Sequence, residues 1–185
     1  MNFTIQLKNL VKQLRALMLT LQKLLKAKQG KSFEEFALAL RKRESSNNYD
    51  AVNAYGYLGA YQFGMARLCD LGFTERKEGT TGYSNSIFQW KTGYSKEYFL
   101  NHPDFQDKVF KEHCISLIGQ IERKFSQYLG TQVGGIKITL SGLVAGAHLG
   151  GIGGVDVFLR GISDCSDALG TRISNYIEKF GGYNV

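Results

Sequence analysis

Glu44 is followed at once by Ser45-Ser46-Asn47-Asn48-Tyr49, and Gly56-Tyr57-Leu58-Gly59-Ala60-Tyr61-Gln62-Phe63-Gly64 comes shortly after. One carboxylic acid set among tyrosine rings and amides is a combination with a definite chemistry. A carboxyl group walled by aromatic rings loses hydration, which favours its neutral form. Such a group can hand over a proton near neutral pH, for instance to a glycosidic oxygen. The ring faces of Tyr49, Tyr55, Tyr57 and Tyr61 suit the holding of sugar rings. The amides of Asn47, Asn48, Asn53 and Gln62 add donors and acceptors. An isolated Glu at a helix end would read as a solvated side chain; this company argues otherwise.

The elements that must position these groups are mostly helical. Ser32-Phe33-Glu34-Glu35 is a capping box, and the helix it opens carries Phe33, Phe36, Ala37 and Leu40 on one face. It should stop near Glu44, because Ser45 to Asn48 prefer turns. An acid in a last turn opposes the helix dipole, which again favours the uncharged form. A second helix is expected at about 61–71, closed by Gly72. Residues 73–92 read as loop anchored by Ile87, Phe88 and Trp90. Pro103 opens a long helix with Phe105, Val109, Phe110, Cys114, Leu117, Ile121 and Phe125 at helical spacing, ending before Gly130. A glycine-rich helix at about 139–149, a short one at 155–159 and a last one from Ile173 to Phe180 complete a mainly α chain. The one strand candidate is 136–139.

With 185 residues, 43% hydrophobic and 12% aromatic, the chain can bury a real core and is not a disordered sequence. The net charge of +7 is concentrated at the start. Residues 1–31 hold Lys8, Lys12, Arg15, Lys23, Lys26, Lys28 and Lys31 and no acid, while the rest is balanced. The high pI therefore implies no nucleic-acid partner for the main domain. The division expected is a basic amphipathic helix over 1–30 and a domain over 31–185.

In the first segment Phe3, Leu7, Leu10, Leu14, Leu17, Leu21 and Leu24 recur in steps of four and three, widened by Val11, Met18 and Leu25. The lysines interrupt any signal-peptide core, and the segment is too charged to cross a bilayer. Either the stripe docks on the domain or on a copy of itself, or residues 3–25 lie on a membrane surface. Cys69, Cys114 and Cys165 are odd in number and widely spaced. They read as small buried hydrophobes, with no disulfide framework and no metal site. No cofactor is expected.

Taken in order, Glu44-Ser45, Gly59-Ala60-Tyr61-Gln62, Ala147-His148-Leu149-Gly150-Gly151, and Thr171-Arg172 with Tyr176-Ile177 form a pattern. It resembles the ordered motifs of the soluble lytic transglycosylase and goose-type lysozyme superfamily: Glu-Ser, Gly-Leu-Met-Gln, Ala-Tyr-Asn-Ala-Gly, and a late Glu-Thr-Arg followed by Tyr-Val. The Asn-Asn-Tyr and Tyr-Gln-Phe-Gly wording is similar to lysozyme-like domains of phage and envelope-targeting proteins.

The resemblance implies a lysozyme-like helical domain that cleaves peptidoglycan glycan strands between N-acetylmuramic acid and N-acetylglucosamine. It also implies roles: Glu44 as acid/base, Ser45 orienting it or touching sugar, Gln62 lining a subsite, and Tyr176 hydrogen-bonding the glutamate from a distant helix. The chain departs from the pattern at His148-Leu149, where the family has Tyr-Asn. His148 reads equally as a polar groove wall and as a buried histidine satisfied by backbone.

Two outcomes of the chemistry stay open. An inverting hydrolase uses a second carboxylate roughly 6.5–9.5 Å from the acid, whereas a lyase lets the substrate's own hydroxyl attack. Asp50, Asp70, Glu75 and Glu78 are the carboxylates nearest in sequence, Asp50 the best of them, and the single clear acid leans toward the lyase. The alternative from another class is a non-catalytic peptidoglycan-binding module of a phage particle or secretion apparatus. In either case the expected place of action is the bacterial cell envelope, reached by phage lysis or a secretion system.

Overall fold

Ser32 begins the first helix as its sequence requires: its Oγ accepts from the Glu35 amide at 3.3 Å, and Glu35 Oε2 accepts from the Ser32 amide at 2.8 Å. The computed structural model describes residues 10–15, 17, 18, 21, 30–167 and 170–185. Helix α1 spans Phe33–Ser45 and buries Phe36, Ala37 and Leu40. It ends because Ser46 and Asn47 both take left-handed backbone, φ 57° and 65°.

Helix α2 (Met65–Asp70) leads into strand β1 (Thr74–Arg76), which pairs antiparallel with β2 (Phe88–Trp90). Helix α3 (Lys96–Asn101) and the long α4 (Pro103–Phe125) follow. A second small hairpin joins β3 (Gln132–Val133) to β4 (Ile136–Lys137). Helix α5 (Leu140–Leu159) and helix α6 (Ile173–Lys179) complete the order. The described chain is thus mainly α with two two-stranded sheets.

The core is built around α4. The Phe110 ring stacks on Tyr61 at 3.9 Å between centroids and meets Phe36 at 6.1 Å and Phe33 at 6.0 Å. Stacked and edge contacts of this kind add to the burial of the rings.

Several expected elements are corrected. The helix expected at 61–71 starts only at Met65, because residues 58–63 form a tight turn instead. Leu58 and Phe63 exchange backbone hydrogen bonds of 2.9 and 2.8 Å, and Gln62 is left-handed at φ 50°. Segment 73–92 is not plain loop: it contains β1, a 3₁₀ turn at Asn85–Ile87, and β2. The strand expected at 136–139 is real but two residues long, and its partner β3 is joined through Gly134-Gly135, both at positive φ, as a two-residue hairpin loop demands. Helices 139–149 and 155–159 are one element, broken at Gly151 (φ 69°, ψ 172°). Residues Leu140–Leu159 are long and apolar enough to cross a membrane, yet half of that stretch is buried inside the fold. The three cysteines are free thiols.

The heptad stripe lies partly outside the described residues. Where it is described, Leu10, Leu14, Leu17, Met18 and Leu21 are helical and between 52% and 63% exposed, so this stretch does not dock on the domain.

The tightest junction is that of α5 with α6. A Cβ placed on Gly142 would meet the Ile177 carbonyl oxygen, and one on Gly150 or Gly154 would meet the Ile173 side chain. Glycine is used here for close approach. In Gly142→Ala the better helix propensity of alanine, roughly 0.5–1 kcal/mol, is outweighed by overpacking of about 1–3 kcal/mol against a backbone atom. The variant should melt at a lower temperature than wild type. An unchanged or raised Tm would show that the helices do not approach this closely.

Candidate active site

The last turn of α1 delivers Glu44 to the mouth of a cleft of about 410 Å³. From the far end of the chain, α6 brings Tyr176, whose hydroxyl donates to Glu44 Oε1 at 2.6 Å across 132 residues of sequence. Burial raises the Tyr176 pKa, and the charge of Glu44 raises it further, so the phenol remains a donor. Among the described residues no other hydrogen bond reaches the Glu44 carboxyl, which leaves Oε2 for a ligand.

The cleft walls are aromatic and amide. Tyr55, Tyr57 and Tyr83 present exposed rings, and Asn53, Gln62 and Asn85 lie between them. The amides also shape the walls: Asn53 Oδ1 accepts from the Tyr55 and Tyr57 amides, while Asn85 bridges the Tyr55 carbonyl and the Met65 amide. An adjoining cavity of about 470 Å³ shares Tyr57, Gln62, Tyr83, Asn85, His148 and Leu149 with the cleft, so the groove continues past the acid.

Of the residues singled out in the sequence, Glu44, Tyr55, Gln62 and His148 line this cleft and Tyr176 holds the acid. Four others are placed elsewhere. Ser45 is not among the lining residues; its Oγ donates to the Ala60 carbonyl at 2.9 Å and fastens the helix end to the following loop. Asn48 is exposed and its Oδ1 accepts from the Asp50 amide.

Tyr49 and Tyr61 turn away from the cleft and donate to Asp107 at 2.9 and 2.7 Å, beside Arg41 at 2.7 Å. Burial, reinforced by that carboxylate, pushes the Tyr49 hydroxyl up to about 12 and the Tyr61 hydroxyl further still. Asp50, the preferred second carboxylate, is exposed and is not among the lining residues. Sequence reasoning overlooked Tyr83, Asn85 and Asp167, which stand in loops or in a 3₁₀ turn too short to carry a periodic signal.

His148 fills both roles left open for it: it lines the cleft and it bonds backbone. Arg67 Nε can only donate, and it donates to His113 Nδ1 at 2.7 Å. The hydrogen of His113 is therefore on Nε2, directed at His148 Nδ1 at 2.9 Å, and His148 Nε2 donates to the Tyr61 carbonyl at 3.0 Å. Both imidazoles are neutral in this relay. Burial lowers both pKa values, that of His113 well below the ordinary range. The charge of Glu44 pulls His148 in the opposite direction without reversing it. Among the described residues no group of three or more potential ligands could hold a metal ion.

No family model matches the chain, and neither the curated proteins nor the solved structures contain a significant match.

The relay has a signature in pH. Unfolded histidines take up a proton near 6.5, whereas the folded pair resists until lower pH. The unfolded state then binds more protons, so stability falls as the pH drops below about 6.5. The slope is up to about 1.4 kcal/mol per pH unit for each histidine. Denaturant unfolding between pH 7.5 and 5 should show this slope in wild type and a flatter profile in a His113→Gln/His148→Gln variant. A flat wild-type profile would refute the neutral relay.

Proposed function

We propose that this chain has a lysozyme-like fold and cleaves the β-1,4 bond between N-acetylmuramic acid and N-acetylglucosamine in peptidoglycan. The observation that carries the reading is the Tyr176 hydroxyl bound to Glu44 at the edge of a cleft walled by exposed tyrosines and amides. Glu44 acts as the general acid: its proton passes to the leaving-group oxygen as the bond to the anomeric carbon lengthens. Tyr176 fixes the rotamer of the acid, so that the proton is presented in one direction. Tyr55, Tyr57 and Tyr83 offer flat apolar faces to sugar rings, and Gln62 offers an amide to their substituents. The continuation of the groove into the adjoining cavity suits a polymeric strand better than a single small molecule.

Clearing of purified cell walls tests the assignment. General acid catalysis contributes about 10²–10⁴-fold, so Glu44→Gln should clear walls slower by that factor. Equal clearing by both proteins would remove Glu44 from the mechanism. Clearing by neither would favour a module that binds the glycan without cutting it.

The exposed apolar residues of the N-terminal helix fit a role at the envelope. Leu10, Leu14, Leu17 and Leu21 face solvent, and Lys12 and Arg15 supply positive charge, the combination that binds an anionic bilayer surface. The full chain should co-sediment with anionic vesicles, and deletion of residues 1–29 should abolish that binding. Vesicle binding that survives the deletion would reject the role; self-association lost on deletion would assign the stripe to a second copy.

A further inference from the structure

Among the described residues, Arg67 Nη2 is the one buried side-chain nitrogen or oxygen without a hydrogen-bond partner. An unmet buried N–H is costly, the more so on a charged group, and asks for something to complete it. The rest of the guanidinium is fixed: Nε donates to His113 Nδ1 at 2.7 Å, and Nη1 donates to Asp70 at 3.3 Å. The Asp70 side chain is 66% exposed, so solvent screens its charge and Arg67 is compensated only in part.

Arg67 lines the cavity of about 470 Å³ that adjoins the cleft, and so does Arg76. Thr74 Oγ1 donates to the Met65 carbonyl at 2.8 Å, which ties β1, carrying Arg76, to the start of α2, carrying Arg67. Arg76 is itself held: Nη1 donates to the Gly82 carbonyl at 2.7 Å, and Cζ sits 4.9 Å from the centroid of the Phe88 ring. Among the described residues lining the cavity, two arginines stand against Asp70, a net of one positive charge beside the neutral histidines. Gln62 and Gln120 commit their Nε2 groups to the Gly59 and Ser116 carbonyls, which leaves each Oε1 as an acceptor. Phe88, Leu117 and Ile152 add apolar wall.

We infer that this cavity binds the carboxyl end of a peptide or of an N-acylated amino acid. Each part of such a ligand has a counterpart. Its single negative charge meets the single net positive charge of the lining, and its two oxygens suit a guanidinium fork. A carboxylate seated on Arg67 replaces the exposed Asp70 at Nη1 and, in the same bidentate geometry, meets Nη2. The ligand's amide N–H finds the glutamine Oε1 atoms, and its side chain finds the apolar wall. A phosphate monoester, with nearly two negative charges, fits this balance less well, and a neutral sugar leaves both arginines unanswered. Glu44 is not among the residues lining this cavity, so binding there needs no bond to be cut.

Titration of the full chain with N-acetylalanine, followed by NMR at the arginine Nε–H groups, tests the site. N-acetylalanine amide, which has the same shape and no charge, is the control. The acid should shift the Arg67 and Arg76 signals to saturation, and the amide should not. Arg76→Gln, at an exposed position, should bind the acid about 10–100-fold more weakly. Asp70→Asn, which removes the competing carboxylate, should bind it more tightly than wild type. No saturable shift, equal binding of acid and amide, or unweakened binding by Arg76→Gln would overturn the inference, as would weaker binding by Asp70→Asn. No glycan is present in these measurements, so the result stands whether or not Glu44→Gln alters the clearing of cell walls.

Discussion

The absence of side chains along one face of α5 is the constraint on which the site depends. Gly142, Gly146, Gly150 and Gly154 recur every four residues, and at each of them a Cβ would run into Ile173 or Ile177 of α6. Helix α6 has seven residues, too few to persist in water by propensity alone. Its existence and its position come from packing on that bare face. The position matters because Tyr176 lies between those isoleucines and extends to Glu44. Bulkier residues on α5 would lift the tyrosine off the acid. Asp164 reinforces the arrangement by accepting from the Ser174 amide and hydroxyl where α6 begins.

The other wall of the cleft is held from behind by two adjacent residues of α4. Gln106 is fully buried, and its amide is fully engaged: Oε1 accepts from the Ala60 amide, while Nε2 donates to the Tyr49 and Phe99 carbonyls. Gly59, at φ +74°, has no room for a Cβ because the Gln106 side chain occupies that space. A buried amide left without partners would cost about 1–3 kcal/mol, so this knot holds the loop in one arrangement. Asp107 gathers the Tyr49 and Tyr61 hydroxyls and Arg41 beside it. With those two rings committed to the interior, the tyrosines left facing the groove are Tyr55, Tyr57 and Tyr83. Preorganisation of this kind spares a bound ligand the entropy of ordering its own site.

What was legible in the sequence follows from how local each signal is. The capping box at Ser32 and the apolar spacing of α4 depend on neighbours within one or two turns, so both were readable. The pairing of Glu44 with Tyr176 came from the order of motifs, since no local rule links residues so far apart. The tyrosines could not be sorted: Tyr49 and Tyr55 are chemically identical, and only Asp107, distant in sequence, decides which one turns inward. Strands of two or three residues carry too little alternation to register, and the Gly134-Gly135 turn was the better signal. Asp167 sits in an irregular loop tied to Thr171 just before α6, an element too short to be read from local propensity.

The histidine relay explains why an imidazole serves at position 148. Its two nitrogens project on opposite sides of a rigid ring, so His148 can accept from buried His113 and donate to the Tyr61 carbonyl at a fixed angle. That carbonyl immediately precedes Gln62, whose φ of 50° is a left-handed conformation that costs a non-glycine residue on the order of 1 kcal/mol. The reciprocal Leu58–Phe63 bonds hold one side of the strained residue and the His148 bond holds the other. The Gln62 side chain, which lines the groove, closes the same turn by donating from Nε2 to the Gly59 carbonyl at 2.9 Å. Since His148 must stay neutral to accept from His113, protonation of the pair at low pH breaks this relay and loosens the wall it holds.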